Sequence, residues 1–197
     1  MIYGLVFCGA LIGLGAHELG HYIAARVLNV PVLSVIIGCG PELIRLRARN
    51  NTSWSLRLLP IIASIAYVET AVRSRFHHAL VLVSGPIANF LLGLIGLGGA
   101  AAVWHHIIPT SNELFASAIT TQMWFIGGLS LAIGLFNLLP LPPLDGGALV
   151  LLALRQHPDW PEPKSFQRAQ RAGVLVLSMS TMIALAWLLG SLCGTPR

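Results

Sequence analysis

Apolar and polar residues are not mixed along this chain. They fall into long apolar runs separated by shorter polar links. Four runs are long enough to cross a hydrocarbon layer of about 30 Å, which takes about 20 helical residues. They span residues 2–27, 76–104, 119–139 and 173–192. The last three contain no Asp, Glu, Lys or Arg, whereas the first carries His17, Glu18, His21 and Arg26. The link over residues 30–70 is patterned differently. Glu42, Ile44, Leu46 and Ala48 alternate with Leu43, Arg45, Arg47 and Arg49, and beyond Asn50-Asn51 the residues Trp54, Leu56 and Leu58 alternate with Ser55 and Arg57. A period of two around an Asn-Asn pair predicts a β-hairpin. Val32–Ile37 and Ile65–Val68 predict further strands. One face would be apolar and the other basic, suited to an anionic inner leaflet. The predicted architecture is a mainly α membrane protein. About four transmembrane helices enclose a small membrane-associated β-hairpin or sheet between the first and second, all in a single integral-membrane domain over residues 1–197.

Composition strengthens this reading. Of 197 residues, 55% are hydrophobic and only 10% charged, against about a quarter charged in soluble domains, and the mean hydropathy is +0.77. Disorder is excluded by the same figures. Cys8, Cys39 and Cys193 are too scattered for a disulfide scaffold. The net charge of +5 is not a nucleic-acid footprint, because the basic residues lie in the links, where membrane topology accounts for them. The N-terminal run lacks a basic start and a plausible cleavage site, so it reads as a retained helix.

The links also set orientation. Arg45, Arg47, Arg49, Arg57, Arg73 and Arg75 crowd the first link, Arg155, Lys164, Arg168 and Arg171 the third, and the second has no basic residue beyond its His105-His106 pair. The positive-inside rule places the first and third links in the cytoplasm and both termini outside. This suits a bacterial inner or plasma membrane, with Trp104 and Trp124 near the outer interface. Pro158, Pro161 and Pro163 make the third link a rigid connector. The His77-His78 and His105-His106 pairs flank the second helix as interfacial residues.

The exception in the first helix is chemical. His17-Glu18-Leu19-Gly20-His21 is an H-E-x-x-H pattern, whose histidines lie on one helical face and can reach one ion, with the Glu beside it free to take a proton from water. Neutral imidazoles and a tetrahedral preference point to Zn2+. Such a cluster is costly in an apolar helix unless it has a partner or a task; the bland alternative is a polar cluster bonded to neighbouring helices. A catalytic zinc usually takes three protein ligands. Asp145 is the foremost candidate, following the breaker Pro140-Leu141-Pro142-Pro143 and preceding Gly146-Gly147; alternatively it caps a short helix from Gly147 to Arg155. Depths agree: counted from opposite ends, His17 lies roughly 23 Å and Asn137 roughly 27 Å below the outer surface. Asn89 and Asn137 are amides in apolar helices. Each reads either as glue between helices or as support for substrate and the reacting carbonyl.

Three blocks together resemble the site-2 protease family of intramembrane zinc metalloproteases: His17–His21, Gly85-Pro86-Ile87-Ala88-Asn89, and Asn137 through Gly147. The resemblance runs from about residue 4 to about residue 150. It implies one Zn2+ held by His17, His21 and Asp145, with Glu18 as general base. Gly38-Cys39-Gly40-Pro41 is similar to the Gly-x-Gly-Pro segment that opens the family's sheet. Where many members carry Gly-Gly-Tyr-Val, this chain has Ala63-Ser64-Ile65-Ala66-Tyr67-Val68. No PDZ or CBS domain fits in the links, so the chain resembles a minimal member. The implied activity is regulated intramembrane proteolysis, with the active site near the cytoplasmic side. Implied substrates are single-pass membrane proteins, such as a bound anti-sigma factor or transcription-factor precursor, or leftover signal peptides, and a strand of the sheet could pair with the unwound segment. The alternatives are a membrane-anchored zincin cutting exposed chains, a non-catalytic zinc-binding scaffold, and a metal transporter.

Overall fold

The computed structural model describes residues 2–68, 71–106 and 113–154, together with 168, 172 and 173. The element order is α1 (Ile2–Val27), β1 (Val32–Arg47), β2 (Ser53–Tyr67), α2 (Arg75–His106), α3 (Glu113–Asn137) and α4 (Asp145–Leu154). Among the described residues, 75–105 and 117–137 are helical stretches long and apolar enough, by length and composition, to cross a membrane. The first predicted span is present as the 26-residue α1. The fourth, 173–192, lies outside the described residues apart from Gly173.

Each helix end has a local cause. Asn29 takes a left-handed conformation, φ 58°, and Asn29 N and Val30 N donate to Arg26 O and Ala25 O. This pairing satisfies the last carbonyls of α1 and ends it, and Val30 folds back into the core, 1% exposed. Ser74 begins α2: its Oγ accepts from His77 N at 3.2 Å, an N-cap. The third helix was expected to reach residue 139 but stops at Asn137. Pro140 bars its preceding residue from helical geometry, and Leu138 and Leu139 turn instead, donating to Leu135 O and Phe136 O.

The inward faces of the helices are lined with small residues. Gly9, Gly13, His17, His21 and Ala25 are buried on α1, a stripe of period four that carries the imidazoles inward. Gly85, Asn89, Gly93, Gly96 and Ala100 do the same on α2. Backbones therefore touch directly. A Cβ on Gly20 would strike the Ser84 carbonyl, and one on Gly96 would come within 2.8 Å of Gly127 Cα. Such close approach maximises dispersion contact and is how helices associate where lipid supplies no hydrophobic drive. Trp104, His105 and Trp124 line a common cavity at the far end of the bundle, so the two tryptophans share a level.

The strands are longer than the alternation alone predicts, and both bend. The hairpin forms around Asn50-Asn51, with Asn51 at φ 64° and Ala48 N donating to Thr52 O. Arg47↔Ser53, Leu46↔Trp54 and Arg45↔Ser55 are its antiparallel partners. Ser34–Ile37 then pairs on two sides, with Ala63–Ala66 and again with Ser53–Leu56. Gly38 and Gly40, at φ 93° and 82°, make the bend between the halves of β1, a geometry that L side chains resist. The near half of the sheet packs through Val32 and Val35 against Ala25, Val30 and Val81, and Trp54 stacks edge-on against Tyr22. The far half stands clear, with Leu43, Ile44 and Leu46 all more than half exposed.

Candidate metal centre

The bundle brings the H-E-x-x-H helix and the residue after the proline turn to one point. His17 Nε2 and His21 Nε2 lie 3.1 Å apart, and Asp145 Oδ2 lies 3.0 Å and 3.3 Å from them. The His17 and His21 residues are 5% and 4% exposed, and Asp145's side chain 16%. Four ligands at zinc's bond lengths of about 2.0–2.1 Å would stand about 3.3 Å from one another in a tetrahedron. The observed triangle has nearly those edges. Asp145 Oδ2 is buried and accepts no well-aligned hydrogen bond, despite its closeness to both rings. This donor set, two nitrogens and one oxygen converging with an orphaned lone pair, fits a tetrahedral cation better than an ion-pair cluster.

Each candidate ligand has its own support. His21 Nδ1 lies 2.7 Å from the Val81 carbonyl, so Nδ1 donates there and Nε2 is left with a free lone pair. Val81 O also accepts from Ser84 Oγ at 2.6 Å. Both lie in the turn before Pro86, which has no N–H for the helix and loosens it. His17 Nδ1 faces the Asn89 amide, with Nδ2 at 3.2 Å. Asp145 is delivered by two glycines. A Cβ on Gly146 would strike Leu138 and Leu139 carbonyl oxygens, and one on Gly147 would come within 2.6 Å of Leu141 C. Only side-chain-free residues let α4 begin tight against the turn and aim Asp145 back at α1. Asp145 is the first residue of α4, and the N-cap position before it falls to Leu144, whose carbonyl accepts from Ala148 N at 3.2 Å.

Glu18 is 3% exposed and its Oε2 has no hydrogen-bond partner. A carboxylate oxygen kept dry and unpaired beside three candidate ligands is poised to accept a proton. Asn89 is fully buried and its amide faces His17. Asn137 Nδ2 donates to Ile133 O one turn back.

Two contributors have weaker sequence signals. Gly85 lies under both imidazoles: a Cβ there would strike His21 Nε2 and stand 2.8 Å from His17 Cε1. Ser130, 0% exposed, donates from Oγ to Asn89 O at 3.0 Å and lies 3.2 Å from Asn89 Oδ1. The only cue for Ser130 is a hydroxyl on the inward face of an apolar helix.

The family model described as peptidase family M50 matches residues 5–107 and 97–181. The chain belongs to this family, the site-2 proteases. Among the relatives of this chain, Metalloprotease MmpA of Caulobacter vibrioides is 38% identical over 104 residues, covering 51% of this chain and 26% of its own length. The protein named "Putative zinc metalloprotease Rip3" of Mycobacterium tuberculosis is 30% identical over 200 residues, covering 98% of this chain and 43% of its own. The chain thus spans less than half the length of these relatives. The M50 match contains every residue of the constellation, from His17 to Asp145.

Proposed function

We propose that this chain is a zinc metallopeptidase that hydrolyses peptide bonds of transmembrane segments within the membrane boundary. The observation that carries the reading is the convergence of His17, His21 and Asp145 within a tetrahedral edge of one another, with the unpartnered Oε2 of Glu18 beside them. One Zn2+ held there would supply Lewis-acid polarisation of the scissile carbonyl and activation of water near neutral pH. The residues of the chain do the rest. Glu18 takes a proton from the attacking water and returns it to the leaving amine nitrogen. The helices that bury His17, Glu18 and His21 exclude bulk water and fix the imidazoles in one orientation.

An intramembrane location is supported by where the site is built. Its supports lie on α1, α2 and α3, and the latter two have the length and apolarity of membrane spans. The substrate is a single-pass membrane protein, whose helix must unwind locally because an intact helix keeps its carbonyls bonded. The site opens toward the cytoplasmic side of a bacterial inner membrane, and the basic sheet lies against that leaflet.

Glu18→Gln tests the reading. The variant and the wild type are reconstituted with single-pass substrates and, separately, with an unfolded soluble chain. The proposal expects cleavage of the membrane segment by the wild type alone, with metal content equal in both. Cleavage by Glu18→Gln at the wild-type rate, or cutting of the soluble chain only, would overturn it; the latter outcome favours a membrane-anchored zincin.

A further inference from the structure

The amide of Asn89 lies between an imidazole of the centre and the hydroxyl of Ser130. Nδ2 stands 3.2 Å from His17 Nδ1, while Oδ1 stands 3.2 Å from Ser130 Oγ. Ser130 Oγ has a second partner, the Asn89 backbone carbonyl at 3.0 Å. All of these groups are buried, with Asn89 and Ser130 both 0% exposed. No water competes at such a site, so each donor must find its acceptor among these atoms.

That requirement ties the amide to the state of the ring. An imidazole whose Nε2 lone pair is used by a metal is neutral and carries its proton on Nδ1. Nδ1–H must then donate, and an NH2 group facing it is the wrong partner. Turning the amide by 180° exchanges its oxygen and nitrogen with almost no change of shape. Oδ1 then accepts from His17 Nδ1, and Nδ2 turns to Ser130. A hydroxyl is the group that tolerates both settings. It donates to Oδ1 in one and accepts from Nδ2 in the other, while its own proton can go to the Asn89 carbonyl.

We propose that Ser130 and Asn89 form a positioning relay that sets the His17 ring for metal binding, with Asn89 Oδ1 facing His17 Nδ1–H and Nδ2 facing the Ser130 hydroxyl when the metal is bound. Ser130 is thus a positioning residue on α3, acting on a ligand of α1 through an amide of α2. The inference rests on the metal reading above and adds a residue outside its three motifs. The Ser130 hydroxyl matters only through Asn89, which gives the proposal a distinctive signature. Removing either partner weakens the metal, and removing both is no worse than removing Asn89.

The test is zinc affinity of the full chain in detergent, by competition with a chromophoric chelator, for wild type, Ser130→Ala, Asn89→Leu and the double variant. Unfolding of each metal-stripped protein is followed in parallel to separate a loss of fold from a loss of affinity. Loss of a partner that orients a metal-bound histidine costs about 10–100-fold in affinity. We expect about tenfold for Ser130→Ala, at least that for Asn89→Leu, and no further loss in the double variant. Asn89→Asp, which can only accept, is expected to hold zinc within a few fold of wild type, a rescue that a packing role would not give. Wild-type affinity in Ser130→Ala, or additive losses in the double variant, overturns the relay and leaves the metal reading standing. A well-folded wild type that binds no zinc removes the metal reading and the relay with it.

Discussion

Replacing Gly85 with alanine adds one methyl group at the point where α2 passes beneath the His17 and His21 rings. That methyl would strike His21 Nε2 and stand 2.6 Å from His21 Cε1 and 2.8 Å from His17 Cε1. Ordinary contacts begin near 3.4 Å, so the rings or the helix must yield by more than about 0.8 Å, beyond the tolerance of about 0.5 Å that a metal constellation allows. Neither can yield freely. His21 is tied to Val81 O, His17 faces Asn89, and α2 is held against α1 at Gly20. Overpacking of this kind costs about 1–3 kcal/mol. Taken wholly from metal binding, that is a loss of about 5–150-fold in zinc affinity. Chelator competition on the purified full chain measures it. Gly98→Ala is the control, because a Cβ there meets nothing within 4 Å and should leave affinity unchanged. A Gly85→Ala protein binding zinc as tightly as Gly98→Ala would refute the claim that α2 touches the centre at this residue.

Three further outcomes are expected. Gly146→Ala pushes a methyl into the Leu138 and Leu139 carbonyls and displaces Asp145, so zinc occupancy should fall while the metal-free fold survives; full occupancy would mean that α4 can shift without moving its first residue. Val35→Ala opens a void where the sheet meets α1 and α2, at a residue 0% exposed. It should destabilise the docked sheet by about 2 kcal/mol, read as faster amide exchange over Val32–Ile37, and unchanged exchange would contradict the packing. Glu42 accepts hydrogen bonds from Arg45 and Ser55, which hold its carboxyl below the usual range. Its contribution is therefore complete above the ordinary carboxylate pKa of about 4.3 and is lost as pH falls through the lowered value. Protection of the hairpin amides should drop in acid relative to α2, and Glu42→Gln should remove that difference.

Much of this arrangement can be read from the residues because local rules and tertiary demands agree. The apolar runs make helices, Asn29 closes the first of them, and Asn50-Asn51 turns the hairpin. His17, Glu18 and His21 are legible from spacing alone, and Asp145 from the proline turn and the glycines after it. What escaped the pattern depends on contact between distant segments. The two-sided pairing of Ser34–Ile37 cannot be seen in alternation, which gives a face but not a neighbour. Gly85 stands in a recognisable block, yet nothing local says that its missing side chain makes room for two imidazoles. Ser130 is one hydroxyl among several in α3, distinguished only by what lies across from it. Asn89 is legible as an amide in an apolar helix, but its position between His17 and Ser130 is visible only in the folded chain.

The central claim is that one ion joins the first helix to the residue after the third. Zinc content per chain, measured on detergent-purified wild type and Asp145→Ala, tests it most directly. The account predicts about one zinc per wild-type chain, with three protein ligands, and a marked loss in the variant at unchanged helix content. Full zinc in Asp145→Ala would contradict it, leaving Asp145 as only the first residue of α4 and the third ligand elsewhere.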